Sequence, residues 1–271
     1  MPLTGAAYAV HIESHDAAQE FQMLATARLD LPTTAHSRTA PAPQGAQIAD
    51  GLRMLHDKLP LVRRLLHAGE SVYEAGDRFE HLYVVNSGLF KLVNLSADGR
   101  EQVVGLQFKG DWLGFDGLAA SRHGCDAIAM DTGEVWAIRY ADLLEACTRH
   151  PSLMGLLHSA MGREMTRDRD SLLSICTLPA DARVAEFLHK WAESLAERGL
   201  RTDQITLRMT RAEIGNYLGM KLETVSRALS RLARDGVIAF TENGRRDIQI
   251  PCREMLAAAV QRTMTRDAVL Q

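Results

Sequence analysis

Residues 209–240 read MTRAEIGNYLGMKLETVSRALSRLARDGVIAF, and the fold turns on how this stretch is parsed. Thr210 followed three residues later by Glu213 is a capping box. In it a hydroxyl and a carboxylate satisfy backbone N–H groups left open at a helix start. A short helix is predicted from there to about Leu218. Gly219 then supplies a position where φ can be positive, as a tight turn between helices requires. A second helix is predicted from near Leu222 to about Arg234, and Asp235-Gly236 ends it. Helix, Gly-containing turn, helix is the helix-turn-helix order.

The second helix has two faces. Val225, Leu229 and Leu232 recur at i, i+4 and i+7 and face a core, while Glu223, Ser226, Arg227, Ser230 and Arg231 point outward. The outward set suits the major groove of double-stranded DNA. Glu accepts from cytosine N4, Arg donates in a fork to guanine O6 and N7, and Ser reaches base or phosphate. The N-terminal part of such a helix contacts bases, and Glu223, Ser226 and Arg227 fall there. Thr210 and Arg211, at the start of the first helix, are counted with them as candidate DNA contacts. VIAF (237–240) and DIQI (247–250), joined by TENGRR, read as a hairpin with Asn243-Gly244 at its tip. This is the wing of a winged helix, and Arg245 and Arg246 are placed to touch phosphate. Glu223 with Arg227 alone would read as a surface i,i+4 ion pair. The complete order of helix, turn, helix and hairpin favours DNA contact instead.

Upstream, Leu178-Pro179-Ala180-Asp181 breaks one helix and starts another, with Asp181 able to cap it. RVAEFLHKWAESLAERG then reads as an amphipathic helix ending at Gly199. From 140 to 176 the period is also helical. Steps of 4 and 3 pick out Met154, His158, Met161, Met165, Asp168, Leu172 and Ile175. Five of these seven are apolar, which predicts a coiled-coil seam between two copies of the chain. A helix packed on its own β-domain would show a similar stripe. Leu153, Leu156 and Leu157 widen the stripe, so the early part of the helix is expected to pack on that domain as well.

Residues 67–140 change character. LYVV (82–85), LFKLVNL (89–95), QVVGLQF (102–108) and EVWAI (134–138) alternate with turn signals such as Ser87-Gly88, Asp98-Gly99 and Gly110-Asp111. Short strands at this spacing predict a β-barrel or sandwich, and Asp98-Gly99 marks a hairpin. Residues 46–66 carry apolar residues at helical spacing interrupted by Pro60, read as one or two short helices. Residues 31–47 are rich in Pro, Ala, Thr and Ser and read as a mobile tail or linker. The fold class is therefore α+β. The expected domains are a tail over 1–45, a β-domain over 46–145, a dimerisation helix over 146–177, a winged helix over 178–255 and a C-terminal tail over 256–271.

Composition narrows the function further. The chain has 271 residues, 46% hydrophobic and 24% charged, which is ordinary for a globular protein of one or two domains. A net charge of −3 excludes a uniformly basic coat, but residues 1–200 carry −7 and residues 201–271 carry +4. Cys125, Cys147, Cys176 and Cys252 form no CxxC pair, so neither a zinc site nor a disulfide framework is expected. The start MPLTGAAYAVHIESHD lacks a basic segment followed by an apolar run, and no stretch nears ~18 apolar residues. A cytoplasmic protein without a secretory signal or membrane partner is expected. Ten histidines form no HExxH or other metal spacing, and no nucleophile set, Walker loop or GxGxxG appears, so no enzyme activity is expected.

From about residue 50 to 251 the chain resembles the CRP/FNR superfamily of bacterial transcription factors, the FNR branch in particular. The resemblance is carried by MTRAEIGNYLG, ETVSRALSRL, GFDGL and ADGREQ. It implies a cyclic-nucleotide-binding-type β-roll, a long dimerisation helix and a C-terminal winged helix. It further implies a homodimer, mainly an activator, that binds palindromes and contacts RNA polymerase. The polymerase-contacting loops would fall near Ser96–Gln102 and Arg198–Thr206. The branch reads TTGAT-type half-sites through E-x-x-S-R, here Glu223, Ser226 and Arg227. Asp168 matches an interface aspartate, whose carboxylates would meet across the two-fold unless paired, for example by the partner's Arg167 or the partner's Arg169.

The departures matter as much. FNR holds an iron–sulfur cluster on cysteines, three of them closely spaced near its N-terminus. Residues 1–124 here contain no cysteine, and the fourth ligand's position is Trp136, so no such cluster is expected. Relatives that bind cAMP carry F-G-E-L and a downstream arginine for the phosphate. The corresponding stretch is Gly114-Phe115-Asp116-Gly117-Leu118, and SRHGCDAIAM offers Arg122 but no arginine in the expected place. An anion without its cation would be costly, so cAMP is not expected. Haem on a lone His is not expected either. The alternative is a regulator gated by thiols, haem or an unknown effector in the β-roll, with Cys252 the thiol nearest the wing.

Overall fold

A computed structural model describes residues 44–96, 99–241 and 244–269. The tail expected over 1–45 lies outside them, except that residues 44 and 45 open the first helix. Helix α1 (Gln44–Lys58) ends just before Pro60. Of the one or two short helices expected over 46–66 only this one forms, and Val62–Leu66 is strand β1. Its backbone finds partners on β8 (Gly133–Arg139), with Val62 opposite Ala137 and Leu66 opposite Gly133. A tertiary partner has overridden a helical-looking pattern.

Strands β3 (His81–Ser87), β4 (Phe90–Leu95), β5 (Glu101–Gln107) and β8 fall on the four runs anticipated from sequence, with Leu89 and Phe108 just outside β4 and β5. Strands β2 (Ser71–Tyr73), β6 (Trp112–Leu113) and β7 (Asp126–Ala129), and the one-turn helix α2 (Gly117–Ala120) between the last two, were not anticipated, because two to four residues carry no readable period. Together they form two antiparallel sheets, ordered β1-β8-β3-β6 and β2-β7-β4-β5. The β4–β5 pairing flanks the Asp98-Gly99 turn, of which Asp98 lies outside the described residues.

Alternation on β3 sorts the core. Tyr83 and Val85 point between the sheets with Tyr73, Phe90, Leu113 and Val135. Leu82 and Val84 point the other way, onto Leu52 and Leu55 of α1 and onto Leu143 of α3 (Tyr140–Arg149). Leu153 and Leu157 of the long helix α4 (Pro151–Thr177) join this second cluster, with Leu156 packed against it, as the widened stripe required. The long helix starts at Pro151 rather than at 146, because Pro151 takes its first turn and residues up to Arg149 close α3.

After Leu178 and Pro179 comes α5 (Ala180–Ala196). Asp181 does not cap it: Pro179 holds the cap position and Asp181 lies in the first turn. Strand β9 (Gln204–Thr206), helices α6 (Arg211–Leu218) and α7 (Leu222–Arg234), and strands β10 (Ala239–Thr241) and β11 (Gly244–Gln249) complete the winged helix. The wing sheet is ordered β10-β11-β9. The expected C-terminal tail is instead helix α8 (Arg253–Val269). Leu256, Ala259 and Val260 are buried in one cluster with Val184, Leu188 and Trp191 of α5. Leu89, Val93, Val103 and Phe108 of the β-roll belong to the same cluster. The apolar core of the winged helix therefore continues into the outer face of β4 and β5.

Candidate nucleic-acid interface

The capping box forms as its sequence dictates. The Glu213 N–H donates to Thr210 Oγ1 at 3.1 Å, and the Thr210 N–H donates to Glu213 Oε2 at 2.8 Å. Burial pushes the Glu213 carboxyl up, but Lys91 and the Thr210 bonds outweigh it and hold it below its ordinary value. Gly219 takes φ +64° at the end of α6. Gly215 was not singled out from sequence, yet the turn depends on it. A Cβ there would stand 2.6 Å from Met220 O, so only glycine lets the turn fold back onto α6. The G-x-x-x-G spacing of Gly215 and Gly219 was the available signal.

This turn aims α7. Val225, Ala228, Leu229 and Leu232 are buried beneath it. Glu223, Arg227 and Ser230 are exposed on the opposite face and Ser226 is half-buried. Lys221 occupies the cap position without a side-chain capping bond, so backbone N–H groups remain open beside Glu223 and Arg227. The partial positive charge of that helix end favours a phosphate or an electronegative base edge. Ser230 donates its hydroxyl back to Ser226 O at 2.9 Å.

The other candidates are engaged in the fold. Arg231 pairs with Asp181 in the first turn of α5, tying the second helix to the start of the winged helix. The Arg211 guanidinium lies 5.8 Å from the Phe240 ring centroid and braces the wing. The Thr210 hydroxyl serves the capping box. Arg246 is exposed on β11, and its carbonyl accepts from Leu207 N at 2.8 Å. The side chain of Arg245 and the tip residue Asn243 lie outside the described residues.

Along α4, Met154 and Met161 are half-buried and His158 and Asp168 exposed. Met165 is 52% exposed and Leu172 64%. Ile175 is half-buried and lies close to Gly219, so it meets the helix-turn-helix of its own chain. Burial, opposed by Arg167, raises the Asp168 carboxyl above its ordinary value. Arg167 is committed to Asp111 of its own chain, at 2.8 Å. Two residues of the expected polymerase-contacting loops are engaged within the chain: the Arg198 side chain is buried, and the exposed Gln102 donates from Nε2 to Asn216 O at 2.6 Å.

A β-roll joined through a long helix to a winged helix with an open reading face defines a DNA-binding transcription regulator. Comparison with known proteins agrees. Residues 182–259 match the Crp-like helix-turn-helix domain, and residues 63–150 match the cyclic nucleotide-binding domain. The transcriptional regulatory protein Btr of Bordetella pertussis is 34% identical over 195 residues, 72% of this chain and 81% of that protein. The fumarate and nitrate reduction regulatory protein of Escherichia coli is 32% identical over 177 residues, 65% of this chain and 71% of that one. The structure of FixK2 from Bradyrhizobium japonicum superposes with a TM-score of 0.66 at 29% identity, covering 74% of this chain and 98% of FixK2. The chain belongs to the CRP/FNR family of transcriptional regulators. Among the described residues no helix is long and apolar enough to cross a membrane.

Proposed function

We propose that the chain acts in the cytoplasm as a homodimeric regulator, mainly an activator working with RNA polymerase, that reads TTGAT-type half-sites. In this reading it uses no iron–sulfur cluster, cyclic nucleotide or haem and is not an enzyme. The carrying observation is the joint exposure of Glu223 and Arg227, with Ser226 between them, at the uncapped start of α7. Two such helices enter successive major grooves about one helical turn apart. The exposed Met165 and Leu172 on the stripe of α4 support a second copy as the cover of that face.

The residues present do not fit a cyclic nucleotide. Asp116 stands in the glycine-rich stretch, and its carboxylate accepts from the Tyr73 hydroxyl at 3.2 Å and from Gly124 N at 2.7 Å. Tyr73 stacks on His123 with ring centroids 3.7 Å apart, filling the space beside it. Arg122, the arginine of that segment, is exposed and donates to Gly76 O at 2.6 Å. An anionic phosphate would meet a carboxylate there rather than a cation.

Thiol gating has less to support it. Burial pushes the Cys125 thiol up to about 12 and raises Cys147 as well, which leaves both weakly nucleophilic. The Cys252 thiol donates to Glu254 Oε2 at 2.7 Å. An effector has one observation in its favour: a groove of about 890 Å³ bordered by α1, β5, β6, α4 and α5. Titrating the purified protein onto a TTGAT–N4–ATCAA duplex tests the proposal. Full binding in air without additions is the expected result. Binding that appears only with reductant or with a cell extract fraction replaces it with a gated sensor.

A further inference from the structure

Strand β5 is an edge of its sheet, so alternate backbone groups on its outer side need partners from elsewhere. They find one on α6. The Asn216 carboxamide accepts from Val103 N at 2.6 Å and donates to Glu101 O at 2.6 Å. It thus stands in for the peptide unit of a neighbouring strand. Gln102 Nε2 donates to the Asn216 carbonyl at 2.6 Å, adding a third bond between the same two segments. One turn back, Glu213 Oε1 accepts from Lys91 Nζ of β4 at 2.6 Å. Glu213 and Asn216 lie on one face of α6, while Ile214 and Leu218 are buried in the winged-helix core. The first helix of the reading unit is therefore bolted to the β-roll by side chains that make no base contact in the reading above. None of these contacts uses Glu223, Ser226 or Arg227.

The long helix and the reading unit are joined covalently by Leu178 and Pro179 alone. A two-residue joint permits pivoting. The shared apolar cluster and the Asp111–Arg198 pair hold α5 against the β-roll. The seat of α6, whose turn aims α7, is set at the β5 edge by Asn216 and at β4 by Lys91, and the distance between two recognition helices in a dimer would vary with that seat. We propose that Asn216, seconded by Lys91, is a positioning residue that fixes the reading unit on the β-roll and so sets the half-site spacing the regulator accepts. The inference rests on the homodimer–palindrome reading above. Its logic is that of a rigid against a flexible bivalent binder, where only a rigid one discriminates sharply between spans.

The test compares duplexes TTGAT–N3–ATCAA, TTGAT–N4–ATCAA and TTGAT–N5–ATCAA for wild type, Asn216→Ala and Asn216→Ala/Lys91→Ala. Wild type is expected to prefer one spacing by about tenfold or more, and the double variant to bind all three within about threefold. Loss of folded protein lowers the active fraction equally for every duplex, so it leaves the ratio unchanged. Asn216→Asp keeps the acceptor for Val103 N–H and loses the donor, and an intermediate ratio is expected of it. A double variant with the wild-type ratio overturns the inference, as does a wild type indifferent to spacing. A wild type that binds none of the three duplexes, at any protein concentration, removes the underlying reading as well.

Discussion

Asp111, at the turn between β5 and β6, offers the sharpest test of how the β-roll, the long helix and the winged helix are held together. Its side chain is 5% exposed. It takes Arg167 of α4 through Nη1 at 2.8 Å and Nη2 at 3.0 Å, and Arg198 beyond α5 through Nη2 at 3.0 Å. It also accepts from Phe108 N at 2.9 Å. Arg198 is as buried as its partner at 5%, and its guanidinium lies 5.2 Å from the Phe108 ring centroid. Asp111→Asn keeps the shape and removes the charge. Two guanidinium groups then face a neutral amide, one of them without water. Removing one partner of a buried pair costs about 3–5 kcal/mol. Arg167 is 39% exposed, so solvent replaces much of its share, and the low end, about 3 kcal/mol, is expected. For a chain of this size that lowers Tm by roughly 6–12 °C. Thermal and urea unfolding followed by circular dichroism at pH 7 measures it. Raising the salt should leave most of the loss in place, because buried pairs are weakly screened. Asp111→Asn/Arg198→Met removes the buried cation too and should regain more than half the loss. A loss under about 1 kcal/mol, or a double variant worse than the single, refutes the assignment of this carboxylate as the hub.

Arg227→Ala should weaken binding to the chosen site by about 1–3 kcal/mol and relax discrimination at one base pair; wild-type binding in a gel-shift titration would remove Arg227 from the reading face. Burial, with Arg167 pulling the other way and Asp168, Asp111 and Asp116 adding to it, raises the Glu164 carboxyl to about 7. The unfolded carboxyl ionises near ~4.3, so native stability falls as pH rises from there through about 7 and is level above it. Glu164→Gln lacks this loss, so its Tm should overtake that of wild type between pH 5 and pH 8, by an amount equivalent to about 2 kcal/mol for a half-buried group; a difference constant across that range contradicts the reasoning. Gly219→Ala meets only φ strain and should cost about 1–2 kcal/mol, whereas Gly215→Ala drives a methyl against Met220 O and should cost more; melting temperatures in the reverse order would show the turn is not packed as described.

Much of the reading unit was legible because its determinants are local. The Thr210–Glu213 box, the turn glycine at 219 and the 3.6-residue stripe of Val225, Leu229 and Leu232 each lie within a few residues of what they control. The β-roll strands of five residues or more announced themselves by length and turn signals, apart from Val62–Leu66, whose pattern also fits a helix. The tail assigned to 256–271 failed for a related reason. Nearly half of its apolar residues are alanines, so its stripe is weak, and the wall of α5 makes it a helix worth burying.

The candidate site divides along the same line. From sequence alone Glu223, Ser226, Arg227, Ser230 and Arg231 all lie on one outward arc of a helix and are all free to reach DNA. Only the fold separates Arg231 from the rest, because Asp181 stands 50 residues away and no spacing rule connects them. Asn216 with Glu101 and Val103, and Asp111 with Arg167 and Arg198, are likewise joined across 56 to 115 residues. The chain's own order determined that two short helices and a wing exist and which face of the second helix is left exposed. Hydrogen bonds and ion pairs depend on distance in space, not along the chain, so where that face is held and what holds it were decided by tertiary packing alone.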